Sequence, residues 1–208
     1  MISKTFARTA AAALALATLA GASFNAAAQE SPWLMRVRAV NLDSANKDST
    51  GLGLTVNNKV IPEVDFSYFV TPNFALELIL TVPQKHTLKS KGTDIGSLKH
   101  LPPTLSAQYH FNPTGGFRPY VGAGVNYTNF SAVKFDAAVD AALHPSIKRN
   151  SYGLSFQVGA DIELSKNLYL NVDVKKVQIG TKVYSSGTEV GKFKVDPTLV
   201  GVGLGFRF

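Results

Sequence analysis

Val200-Gly201-Val202-Gly203-Leu204-Gly205-Phe206-Arg207-Phe208 is the stretch that decides the fold. Every even position is apolar and every odd one is glycine or arginine. A period of two means an extended strand with two unlike faces. The same rhythm runs back through the chain. Leu168, Leu170, Val172 and Val174 alternate with Tyr169, Asn171, Asp173 and Lys175. Leu154 to Ile162, Val121 to Tyr127, Leu105 to Phe111, Leu76 to Val82 and Val64 to Val70 behave alike. With Trp33 to Asn41 in front, the pattern predicts about eight strands. The one helix candidate is Lys134 to Leu143.

The strands are about ten residues long, enough for a tilted strand to cross a bilayer. Their connections alternate in length. Thr71–Asn73, Pro113–Gly116 and Ser165–Asn167 are short. Asp43–Lys59, Pro83–Leu98, Ser131–Asn150 and Gly180–Lys192 are long and read as loops. Short periplasmic turns and long outer loops belong to bacterial outer-membrane barrels. Aromatic residues, among them Trp33, Tyr68, Phe69, Phe74, Tyr109, Phe111, Phe117, Tyr120, Tyr169, Phe206 and Phe208, gather near the short turns as an interfacial girdle would. The expected fold is therefore all-β, an eight-stranded antiparallel transmembrane β-barrel of the outer-membrane type.

The polar face carries nearly balanced charge. Arg36, Arg38, Arg118, Lys175 and Arg207 oppose Glu63, Asp65, Glu77, Asp161, Glu163 and Asp173. Buried charges must be paired, so balance predicts a lumenal network, concentrated on the periplasmic half. An apolar solute would not cross such a layer. The outer half of the lumen, with Ile79, Thr81, Gly124 and Thr128, is less charged and leaves space for a pocket. Pro102 and Pro103 lack the N–H that a ladder requires. Either the wall loosens there, or the pair only ends a loop.

The N-terminus predicts export. Lys4 and Arg8 precede the apolar run Ala10–Ala22, and Ala26-Ala27-Ala28 precedes Gln29. This layout predicts a cleaved signal peptide over 1–28, leaving 29–208 as a single barrel in the cell outer membrane. There is no cysteine, hence no disulfide or thiolate site. The four histidines lack metal-ligand spacing, and no nucleophile elbow or phosphate loop occurs. No enzyme activity, cofactor or metal is expected. The net charge of +7 resides mostly in loops. Without an aromatic platform it does not indicate nucleic acid. Lys85, Lys89, Lys91 and Lys99 form its densest run, suited to lipopolysaccharide phosphates or to plain solvation. The final strand ending on Phe208 suits recognition by the barrel-assembly machinery.

Particular stretches resemble the OmpW family of outer-membrane proteins. They are Lys99-His100-Leu101-Pro102-Pro103-Thr104-Leu105 continuing to Gln108 and Tyr109, then Phe117-Arg118-Pro119-Tyr120-Val121-Gly122-Ala123-Gly124-Val125-Asn126-Tyr127-Thr128, Gln157-Val158-Gly159-Ala160-Asp161 and Gly205 to Phe208. The resemblance implies uptake of small hydrophobic molecules, bound in an apolar pocket near the outer end and released sideways into the lipid. It implies that Ile79 and Tyr152 line that pocket. Ile79 has inward parity beside Glu77. Alternation alone puts Tyr152 on the outward face with Leu154, so its role in a pocket calls for a bulge. A closed structural or adhesive barrel, a barrel enzyme acting on lipids and a narrow ion or osmolyte pore are the alternatives.

Overall fold

The computed structural model describes residues 31–208. The expected signal segment 1–28 lies outside them. The strands are β1 (Trp33–Asp43), β2 (Lys47–Asp48), β3 (Leu54–Val56), β4 (Lys59–Phe69), β5 (Phe74–Thr81), β6 (Gln84–Ser90), β7 (Thr93–Leu101) and β8 (Thr104–His110). They continue as β9 (Phe117–Phe135), β10 (Pro145–Ile147), β11 (Asn150–Ser165), β12 (Leu168–Val177), β13 (Gly180–Ser185), β14 (Thr188–Lys194) and β15 (Thr198–Arg207). A short helix, α1 (Ala137–Leu143), buries none of its residues. It occupies part of the expected Lys134–Leu143 segment, while Lys134 and Phe135 extend β9.

Eight strands close on themselves in the order β11-β12-β15-β1-β4-β5-β8-β9, and β9 pairs back to β11. All of these pairings are antiparallel. Closure leaves no unpaired sheet edge, which a hydrocarbon environment demands. The faces are inverted relative to a soluble barrel. Val125, Leu105, Val202 and Phe156 are more than half exposed, whereas Arg36, Asp65 and Glu77 are fully buried inside. Lipid, not water, must cover the apolar outer band.

The long connections are not irregular loops, contrary to the expectation. β9 and β11 have 19 and 16 residues, beyond what the bilayer needs. Above it, β9-β7-β6-β3 continue one wall as a sheet. A separate sheet, β10-β13-β14-β2, rises from the other side. Tight hairpins close both: Lys91-Gly92 and Ser186-Gly187 each place two consecutive residues at positive φ, as two-residue hairpin turns require.

The two sheets enclose an apolar cluster that includes Val40, Leu42, Ile61, Leu98, Phe130, Val177, Ile179, Phe193 and Leu199. The interior thus has two storeys, charged below and apolar above. The lower storey is crowded. A Cβ on Gly203 would lie 2.0 Å from the Val37 carbonyl and 2.8 Å from Arg38 Cγ. Absent side chains on β15 make room for the arginines of β1.

Candidate functional site

The floor of the site is an ion-paired cluster. β1 presents Arg36 and Arg38 to the lumen two residues apart, and β4 presents Glu63 and Asp65 in register with them. Arg36 Nη1 lies 3.0 Å from Asp65, and Arg36 Nη2 lies 2.7 Å from Asp161. Arg38 Nε lies 3.0 Å from Glu63, and Arg38 Nη2 lies 2.5 Å from Asp65. Glu77 lies 3.5 Å from Arg38. Lys175 bridges Glu63 at 2.8 Å and Asp173 at 2.6 Å. Three cations face five carboxylates here, so neutral donors complete the pairing. Gln157 donates to Glu77 at 2.5 Å, Tyr120 Oη to Asp173 at 3.0 Å and Asn171 to Asp161 at 2.8 Å.

The periplasmic end is filled as well. Arg118 lies 3.4 Å from Glu163 and stacks over Tyr169. Arg207 lies over Phe69 and donates to the Ser31 carbonyl at 2.8 Å. Phe69, Tyr120 and Tyr169 are therefore lumenal residues, not members of the girdle as expected. Each stands one residue from an outward-facing neighbour, so its parity is inward.

Above the floor lies a small cavity of about 20 Å³, space for about one water. Glu63 and Lys175 border it below, and Leu42, Ile61, Val177, Ile179 and Leu199 border it above. Ile79 and Pro102 form part of its wall. Thr104 and Asn126 add polar groups, with Asn126 Nδ2 donating to Thr104 Oγ1 at 2.9 Å. Tyr152 takes no part. It is 79% exposed, pairs in unbroken register with Tyr127, and its ring lies 5.1 Å from that of Tyr127. No bulge turns it inward, so its implied place in the pocket is corrected to the outer girdle.

The cavity abuts a break in the wall. The ladder between β5 and β8 ends at Ile79 and Thr104, because the next residues on that chain are Pro103 and Pro102, which have no N–H to donate. On its other side the segment is held, since Tyr127 N–H and Asn126 Nδ2 both donate to the Pro103 carbonyl at 3.1 Å. One edge is stapled and the other unpaired.

A stacked pair of histidines, His86 and His100, sits higher, with ring centroids 4.6 Å apart. His86 Nδ1 hydrogen-bonds the Asn57 carbonyl at 2.9 Å. His100 borders the cavity, and its Nε2 has no hydrogen-bond partner. Burial, then the neighbouring His86 and Lys59, pushes the His100 pKa down to about 3. Burial also lowers that of His86. Sequence assigned no lumenal role to His86, His100, Gln157 or Asn171, and it placed Tyr120 in the girdle. Their inward parity was the available signal.

A closed barrel with an apolar outer belt and ion-paired lumen defines an integral outer-membrane protein that crosses the bilayer by strands. The chain belongs to the OmpW family, which it matches over residues 34–208. It is 35% identical to outer membrane protein W of Escherichia coli over 162 residues, covering 75% of this chain and 76% of that protein. It is 26% identical to the dibenzothiophene metabolism operon protein PahQ of Pseudomonas aeruginosa, covering 87% and 90% respectively. The crystal structure of the outer membrane protein OprG from Pseudomonas aeruginosa superposes with a TM-score of 0.75 at 27% identity, covering 86% of this chain and 97% of that one.

Proposed function

We propose that this barrel admits small hydrophobic molecules through its outer end and releases them sideways into the membrane at Pro102 and Pro103. The observation that carries the reading is the position of the cavity. It lies under an apolar roof, on an ion-paired floor, beside an unpaired stretch of wall. Dispersion and hydrophobic contacts are non-directional, so an apolar guest can replace the roof's own contacts as it enters. It cannot replace the floor's ion pairs, whose separation would strand buried charge. The unpaired edge beside Ile79 is then the least costly way out. The name of the PahQ relative, from a dibenzothiophene operon, supports an apolar aromatic cargo.

The cavity is far below the ~300 Å³ of an ordinary ligand pocket, so passage requires the roof to part. That tightness is the one observation favouring a closed structural barrel. Uptake of dibenzothiophene by whole cells with an intact lipopolysaccharide leaflet separates the two readings. Ile79→Arg puts a charge in the cavity wall without touching the lipid face. We expect it to lower uptake at least about tenfold with normal heat-modifiable gel migration. Equal uptake in wild type, variant and cells lacking the protein would leave the closed barrel.

A further inference from the structure

The outer face of the second extramembrane sheet carries a lysine group that the uptake reading does not use. Lys148, Lys182, Lys192 and Lys194 line an open cleft of about 280 Å³, whose lower border is formed by Tyr152 and Asn150. Lys182 and Lys192 stand directly opposite each other on β13 and β14, and Lys194 opposes Gly180 one step closer to the barrel. Lys148, the residue after β10, donates its N–H to the Lys182 carbonyl, which brings another segment's lysine alongside. Lys182 is engaged by Glu189 at 2.6 Å. Among the described residues, no carboxylate lies within ion-pair distance of Lys148, Lys192 or Lys194. Like charges directly opposite on a sheet are destabilising, so the arrangement favours a bound anion.

What lies beneath the cleft names the anion's carrier. Tyr152 lies against Tyr127 in the outer aromatic girdle, the two rings tilted by 43°, and Leu154 and Phe156 continue the exposed apolar band below it. A molecule seated here has its head among lysines and its tail against Tyr152, Leu154 and Phe156.

We infer that this cleft is a binding site for a phosphorylated glycolipid headgroup of the outer leaflet, with its acyl chains on the Tyr152 side of the barrel. The densest lysine run in the sequence, on β6 and β7, is a different surface. There Lys89 is neutralised by Asp94 at 3.1 Å, and none of its lysines lines this cleft. The site is independent of solute uptake, so either proposal can fail without the other.

The test uses the full chain in mixed micelles with hexa-acylated bisphosphorylated lipid A, its dephosphorylated form, and inorganic phosphate. Lipid A should be retained at one equivalent. Lys148→Gln/Lys192→Gln/Lys194→Gln should weaken retention about a hundredfold, on roughly fivefold per lysine near an anionic surface. Lys192→Gln alone should weaken it by roughly fivefold, which keeps the test decisive if the triple variant folds poorly. Lys85→Gln/Lys89→Gln/Lys99→Gln, with the same loss of charge, should change it no more than about threefold. Equal weakening by both triples would reduce the effect to net charge and overturn the site. Binding of inorganic phosphate as tight as that of lipid A would overturn the lipid assignment. Unchanged retention of the dephosphorylated form would overturn the role of the phosphates.

Discussion

Arg38→Leu tests whether the lumenal cluster governs the stability of the barrel. Arg38 is fully buried and lies within 4 Å of four carboxylates: Glu63 at 3.0 Å, Asp65 at 2.5 Å, Glu77 at 3.5 Å and Asp173 at 3.8 Å. It also donates to Asn171 at 3.1 Å. Leucine keeps much of the volume but leaves Arg36 and Lys175 to serve all five acids. Removing one member of a buried pair costs about 3–5 kcal/mol, mostly from stranding the partner. Glu63 and Asp173 keep Lys175, and Asp65 keeps Arg36. The loss should therefore fall near the lower end, about 3 kcal/mol. Equilibrium urea unfolding from vesicles measures it through Trp33, the single tryptophan, which lies in the girdle against Tyr68. The double variant Arg38→Leu/Glu63→Leu should recover part of the loss, since it leaves four acids rather than five to Arg36 and Lys175 and frees Lys175 for Asp173. A loss below about 0.5 kcal/mol, the range of an ordinary surface change, would refute the reasoning. So would strict additivity of the two substitutions.

Other outcomes follow from the same geometry. Pro102→Thr/Pro103→Thr restores one ladder donor towards β5, at residue 102, and one towards β9, at residue 103, and should slow dibenzothiophene uptake severalfold while leaving gel migration normal; unchanged uptake would remove the sideways exit. Gly203→Val should prevent the heat-modifiable form from appearing, because its Cβ would meet the Val37 carbonyl at 2.0 Å; a normally folded variant would contradict the packing. The His100 pKa lies below its unfolded value of 6.5, so the unfolded state binds the proton first and stability is lost as pH falls from about 6.5 towards 3. At pH 5 this amounts to ~2 kcal/mol. Amide exchange in β6 and β7, corrected for intrinsic rate, should rise between pH 8 and pH 5 in wild type and much less in His100→Phe. An equal rise in both would show that His100 is not responsible.

The sequence alone determined the wall and its polarity. A period of two gives each segment two unlike faces, and the near-balanced charge of the polar face, with the alternation of short and long connections, pointed to that face as the enclosed one. Gly201, Gly203 and Gly205 at the inward positions of the last strand already announced a crowded lumen; register then set Gly203 and Gly205 opposite Arg38 and Arg36. The upper sheets were also within reach. Gln84, His86 and Leu88 alternate inward with Lys85, Thr87 and Lys89, and Lys91-Gly92 and Ser186-Gly187 are hairpin turns. The lysines hid this alternation because they sit on a solvated face, where charge resembles loop composition. Tertiary structure alone decided which cation meets which carboxylate. It also joined residues 42, 61, 79, 102, 177 and 199 around one cavity, and three lysines of two strands with Lys148 around one cleft. Those groupings depend on barrel closure and strand register, which fix distances between segments far apart in the chain. Tyr152 shows the limit from the other side: its own alternation placed it outward, and the unbroken register with Tyr127 kept it there.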